Sequence, residues 1–133
     1  MSVVFLDTVG IIALLDEDDQ WHAAAVAAYD QMRATGARTV TTSHVLWECG
    51  NSAARRPYRG DVAELRLKLC QRQRCLEVRA ADEETAWADY QVGSVGDAGI
   101  VDHISFVVMR RLGIRQVFTH DKHFTVAGFE VLF

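Results

Sequence analysis

Four acidic side chains stand where an oxygen-ligated metal site can be assembled. Asp7 follows the apolar run Val3-Val4-Phe5-Leu6, and Glu48 closes Val45-Leu46-Trp47-Glu48. Asp102 precedes Ile104-Ser105-Phe106-Val107-Val108, and Asp121 follows Val117-Phe118-Thr119. They are spread over nearly the whole chain, but in an α/β fold the carboxyl ends of strands converge and ligands bind there. Converging carboxylates repel and raise one another's pKa, so they need a compensating charge. The usual one is a hard divalent cation with oxygen ligands, and Mg²⁺ or Mn²⁺ suits such a donor set. Such an ion makes a water nucleophilic and stabilises charge on a phosphate under in-line attack. Each acid alone has a plainer reading, as a cap or turn residue for Asp7, Asp102 and Asp121 and as a surface helix residue for Glu48. The joint pattern favours metal-dependent phosphoryl transfer. Thr119 offers a hydroxyl to a site water or a phosphate oxygen, or serves only β-propensity.

Short apolar strands alternate with helices along the chain. Strands are predicted at 3–6, 38–42, 76–78, 116–118 and 129–133. Helices are predicted at 9–15 with Thr8 as cap, at 22–33, after a Ser43 cap, from the capping box Asp61-x-x-Glu64 to about 74, from 82, and at 101–112. A single turn is expected at 123–126, and Asp16-Glu17-Asp18-Asp19 reads as a solvated turn. The alternation implies an α/β fold with a parallel sheet covered on both faces. Glu48 shares a helix face with His44 and Asn51.

The 133 residues are half hydrophobic, which implies one domain, residues 1–133, around one core. Net charge is −4, so the whole molecule is not a basic nucleic-acid binder. Residues 51–80, however, hold eight Lys/Arg against three acids, a local +5, while the rest carries −9. Arg55, Arg56 and Arg59 lie just after the Glu48 helix and are candidates for holding the phosphates of a polyanion, with Tyr58 among them as a stacking aromatic. A solvated helix face is the alternative. Three cysteines without a C-x-x-C pair suggest reduced, buried thiols in a cytoplasmic protein. Neither a signal peptide nor a membrane span is expected.

Other chemistries fit less well. The histidines His44, His103, His120 and His123 lack zinc-finger spacing. No G-x-S-x-G is present, and Gly93-x-x-Gly96-x-x-Gly99 lacks the ending of a phosphate-binding loop. That segment reads as a loop bordering the acidic pocket. Trp21, Trp47 and Trp87 read as core or interface residues.

The segments Phe5-Leu6-Asp7-Thr8, Ser43 to Glu48, Val101 to Met109, and Phe118-Thr119-His120-Asp121-Lys122-His123-Phe124 with Gly128-Phe129 resemble the PIN-domain ribonucleases. The similarity is greatest to the VapC-type toxins of toxin–antitoxin modules and extends over essentially the full chain. It implies a three-layer α/β/α fold with about five parallel strands, a Mg²⁺ or Mn²⁺ site, and hydrolytic cleavage of RNA. It also implies a cognate antitoxin partner and a homodimer. The helices at 8–15 and 43–53 are the expected contact patch. By this resemblance the family's acids fall on Asp7, Glu48, Asp102 and Asp121, its Ser/Thr on Thr119, and an additional acid on Asp97. Val101 departs from the pattern, since many relatives have Thr before the third acid. The alternatives within the same fold are a catalytically inactive RNA-binding or scaffold protein, a nuclease of RNA processing, and a nuclease acting on structured DNA.

Overall fold

Runs of β-branched and aromatic residues that are buried on both sides form short parallel strands. In the structure, a computed structural model describing residues 2–133, these are β1 (Val3–Leu6), β2 (Arg38–Thr42), β3 (Cys75–Leu76), β4 (Gln116–Phe118) and β5 (Glu130–Val131). All pair in parallel, in the order β3-β2-β1-β4-β5. The helices are α1 (Thr8–Leu15), α2 (His22–Ala34), α3 (Ser43–Ala53), α4 (Arg59–Gln71), α5 (Ala80–Val92), α6 (Ile100–Leu112) and α7 (Lys122–Val126).

The chain walks from β1 outward to β3 and then returns across β1 to β4. Right-handed crossovers therefore put α1–α4 on one face and α5–α7 on the other. Side-chain alternation agrees with this. Phe118, in register with Leu6, meets the Tyr29 ring of α2 at 6.0 Å. On the opposite face Phe106 of α6 packs edge-on against Phe124 of α7 at 4.9 Å. The reversal of direction lies between β1 and β4, and a crevice opens at the carboxyl ends of strands at such a point.

Several boundaries differ from the sequence expectation. β3 ends at Leu76, where its pairing with Thr42 stops, and the chain then turns into α5. The last strand is confined to two residues, Glu130–Val131. Thr42, not Ser43, caps α3, accepting the Val45 N–H at 3.3 Å. The helix α4 starts two residues before Asp61, so Asp61 and Glu64 form no capping box, and Glu64 pairs with Lys68 at 3.0 Å. Asp82 lies inside α5, accepting the Arg79 N–H at 2.9 Å, and Arg111 of α6 grips the same carboxylate at 2.8–3.2 Å. That fork ties α5 to the helix carrying Asp102. Cys49 is buried, Cys70 is exposed and Cys75 is half-buried, so burial holds for only one of the three thiols. Trp47 and Trp87 are 65% and 52% exposed and Trp21 lies partly open, so none is a core residue. Much of α1 is buried, and the open aromatics lie on α3 and α5. No helix among the described residues is long and apolar enough to cross a membrane.

α1 must pass over the end of β4 for Asp7 to face Thr119. Gly10 permits it, because a Cβ there would sit 1.9 Å from the Phe118 carbonyl oxygen. A backbone atom cannot swing aside, so Gly10→Ala should cost about 1–3 kcal/mol despite its better helix propensity. Gly50→Ala, on α3 with open space around it, should stabilise by up to about 1 kcal/mol. Urea denaturation of the two variants checks the contrast.

Candidate active site

Strand ends and helix starts supply three of the four acids, and the body of a helix supplies the fourth. Asp7 is the residue between β1 and α1, Asp121 precedes α7, and Asp102 sits in the first turn of α6. Acids at these positions face unpaired backbone N–H groups and the positive end of the helix dipole. Glu48 projects from the second turn of α3, a helix that contacts both α1 and α6.

Asp7 is 1% exposed. Its Oδ2 accepts the Thr119 hydroxyl at 2.8 Å, while Oδ1 is buried with no hydrogen-bond partner among the described residues. The carboxyl is pushed up to about 8, first by burial and then by Asp102, with Asp121 adding to it and Thr119 opposing. Asp102 is pushed up to about 6, by burial, then by Asp121 and Glu48. The mutual repulsion shows that the fold brings all four acids into one field.

Polar side chains hold this arrangement. The Thr119 hydroxyl also accepts the Asp121 N–H at 3.1 Å and is fully buried. It is therefore committed to two acids, whereas its sequence position had suggested contact with a site water or a phosphate oxygen. Thr8, expected to cap α1, lies inside that helix and donates its hydroxyl to Glu48 Oε1.

His123 is the residue that sequence reasoning left out of the site. Asp102, Asp121 and His123 offer ligand atoms within 4.8 Å of one another. Its Nδ1 lies 2.8 Å from Asp121 Oδ1 and its Nε2 lies 2.7 Å from Asp97 Oδ1. The Asp97 hydrogen bond and then Asp121 raise the His123 pKa against the effect of its partial burial. Spacing supplied a signal: two residues after an N-cap Asp, a side chain returns to that Asp. Asp97, proposed by resemblance as an extra ligand, is outside the tight group, and its side chain is 95% exposed. His103 is buried against Phe106 and Tyr90 and does not face substrate.

The basic rim is partly occupied. Arg56 pairs with Asp16 at 3.4 Å, and Arg59 donates to the Ala54 carbonyl at 3.2 Å. Arg55 is exposed with no such partner among the described residues. Tyr58 is buried, so it is not available to stack a base.

A divalent cation fits these residues. The donor set is carboxylate-rich, one buried oxygen lacks a partner among the described residues, and two carboxyls are held above their usual range, by burial first and by neighbouring acids second. The PIN domain family profile matches residues 4–130. The chain belongs to the PIN-domain family. The family assignment makes it a nuclease of a metal-dependent class. Among curated proteins, it is similar to the 23S rRNA-specific endonuclease VapC20 of Mycobacterium tuberculosis, in strains CDC 1551 / Oshkosh and ATCC 25618 / H37Rv. Identity to each is 31% over 128 residues, covering 96% of this chain and 95% of the relative. The crystal structure of M. tuberculosis VapC20, described as a sarcin–ricin loop cleaving toxin, superposes with a TM-score of 0.76. Identity there is 28%, with 96% of each chain covered. The five-stranded parallel order β3-β2-β1-β4-β5 is thus the PIN fold expected from the sequence.

The raised carboxyls set the pH dependence of the metal-free PIN fold. Asp7 keeps its proton in the folded state but loses it above about 3.8 when unfolded. Its contribution to stability is therefore full below about 3.8 and is lost as pH rises through about 8, and Asp102 acts likewise up to about 6. Thermal melts in EDTA should fall from pH 5 to pH 8. Asp7→Asn should flatten that slope and add about 1–3 kcal/mol at pH 8, less than the full shift because its amide finds few partners.

Proposed function

We propose that this chain is a toxin-type endoribonuclease that uses a divalent cation, Mg²⁺ or Mn²⁺, held by Asp7, Glu48, Asp102 and Asp121. The observation that carries the reading is the unpartnered, buried Oδ1 of Asp7 amid three further acids. When bound, the cation supplies charge for the attacked phosphate and for acidifying water. The protein supplies the rest. Thr119 holds Asp7 and the Asp121 backbone in one geometry, and Thr8 holds Glu48. Helix N-termini at Asp102 and Asp121 add positive potential beside the scissile phosphate. Hydrolysis by this arrangement leaves a 5′-phosphate and a 3′-hydroxyl.

Similarity to VapC20 over 96% of the chain favours a structured ribosomal RNA loop as substrate over messenger RNA. An antitoxin partner and a homodimer belong to the same reading, and exposed Trp47, Trp87 and Tyr90 offer apolar contact area for one of them.

Asp7→Asn should reduce RNA cleavage to background while leaving the fold intact, and EDTA should do the same to the wild type. Metal-dependent cleavage retained by that variant would sink the assignment. RNA binding that survives EDTA with no products would favour an inactive RNA-binding protein. Arg55→Ala should raise KM with little change in kcat, and reduce the salt slope of RNA binding by about one. A filter-binding series at several salt concentrations reads that slope.

A further inference from the structure

We propose that His123 is a positioning residue of the cation site, fixing which oxygen of Asp121 faces the ion and being fixed in turn by Asp97. The inference rests on the metal-dependent reading above. Asp121 Oδ1 accepts two hydrogen bonds, from His123 Nδ1 at 2.8 Å and from the His123 backbone N–H at 2.9 Å. Oδ2 accepts none among the described residues and is the atom left for a cation.

Both ring nitrogens of His123 face carboxylate oxygens, which only accept, so both donate. A ring so engaged has no free lone pair for a metal, although it lies within 4.8 Å of the other ligand atoms. Its geometry is that of a group orienting a ligand. Asp97 acts through this ring rather than on the ion. The segment bearing it is pinned by buried Val95 and Ala98 on either side, and Gly93 and Gly96, with φ of 64° and 56°, let it turn back toward α7. The exposed carboxylate is thereby held at the far side of the imidazole.

Charge and orientation make opposite predictions here. Removing a cationic ring beside a cation site tightens metal binding if charge alone matters, and weakens it if orientation matters. Titration of the full chain with Mn²⁺, read by the magnetic resonance signal of free ion, separates them. His123→Ala should weaken Mn²⁺ binding by roughly 10–100-fold. His123→Asn, whose amide N–H takes the place of Nδ1–H, should recover most of that loss. His123→Gln, which reaches Asp97 instead, should not, and Asp97→Ala should weaken binding several-fold. Spin-echo spectra of Mn²⁺ on the wild type should show no directly bonded nitrogen. Should His123→Ala lose its folding transition, the contrast between His123→Asn and His123→Gln carries the test. Unchanged or tighter Mn²⁺ binding in His123→Ala, or a directly bonded nitrogen in the wild type, overturns the proposal. A wild type that binds no Mn²⁺ overturns both readings, whereas the predicted affinity pattern without RNA cleavage supports the positioning role and removes the nuclease reading alone.

Discussion

A carboxylate kept inside the protein with one oxygen unsatisfied governs this structure. Asp7 is almost fully buried, and among the described residues only Thr119 donates a side-chain hydrogen bond to it. An isolated buried charge is costly enough that the group keeps its proton instead, which is why its pKa stands at about 8. A fold optimised for stability alone would place an asparagine or an apolar residue here. The site therefore reads as a reservoir of repulsion that a cation relieves, with the surrounding elements arranged to withstand the repulsion until it arrives.

Those elements share the task unequally. The crevice between β1 and β4 sets Asp7 beside Thr119 and Asp121, and Gly10 allows α1 to leave it without striking β4. The first turn of α6 brings Asp102 to the same place, and the Arg111–Asp82 fork anchors that helix to α5. Neither Thr8 nor Thr119 meets solvent chemistry directly. Each donates a hydroxyl proton to a carboxylate, fixing its direction while lowering the cost of its charge. The positive end of α7 and the raised pKa of His123 put partial positive charge next to Asp121, which is the opposite balance from Asp7.

Much of this was legible in the sequence because it depends on local pattern. Apolar tetrads ending in an acid announce strand ends, and the alternation of strands with helices announces a parallel sheet. Asp7, Glu48, Asp102 and Asp121 were all candidates from the sequence. The ligand atoms that lie within 4.8 Å of one another are those of Asp102, Asp121 and His123, while Asp7 is held by Thr119 and Glu48 by Thr8. Element ends were less legible: β3 stops where its partner strand β2 ends, β5 is confined to two residues, and α4 begins two residues before its apparent cap, with Tyr58 buried at its N-cap. Side-chain commitments were not legible at all. Thr119 turned inward, Tyr58 was buried, and Arg56 and Arg59 found partners on neighbouring segments. His123 was passed over as a failed zinc ligand: its place two residues after Asp121 is a local signal, but the approach of Asp97 to its other ring nitrogen depends on the folding of the 93–99 segment.

A proton on the buried Asp7 carboxyl stands where a cation's charge would, and a bound cation would release it. Calorimetric titration of the metal-free protein with Mn²⁺ at pH 7, repeated in buffers of different ionisation enthalpy, counts that proton directly. With Asp7 at about 8 and Asp102 at about 6, binding should release about one proton per ion in the wild type, and none from the Asp7 position in Asp7→Asn. Heats that do not depend on the buffer, or no heat of binding at all, would contradict it.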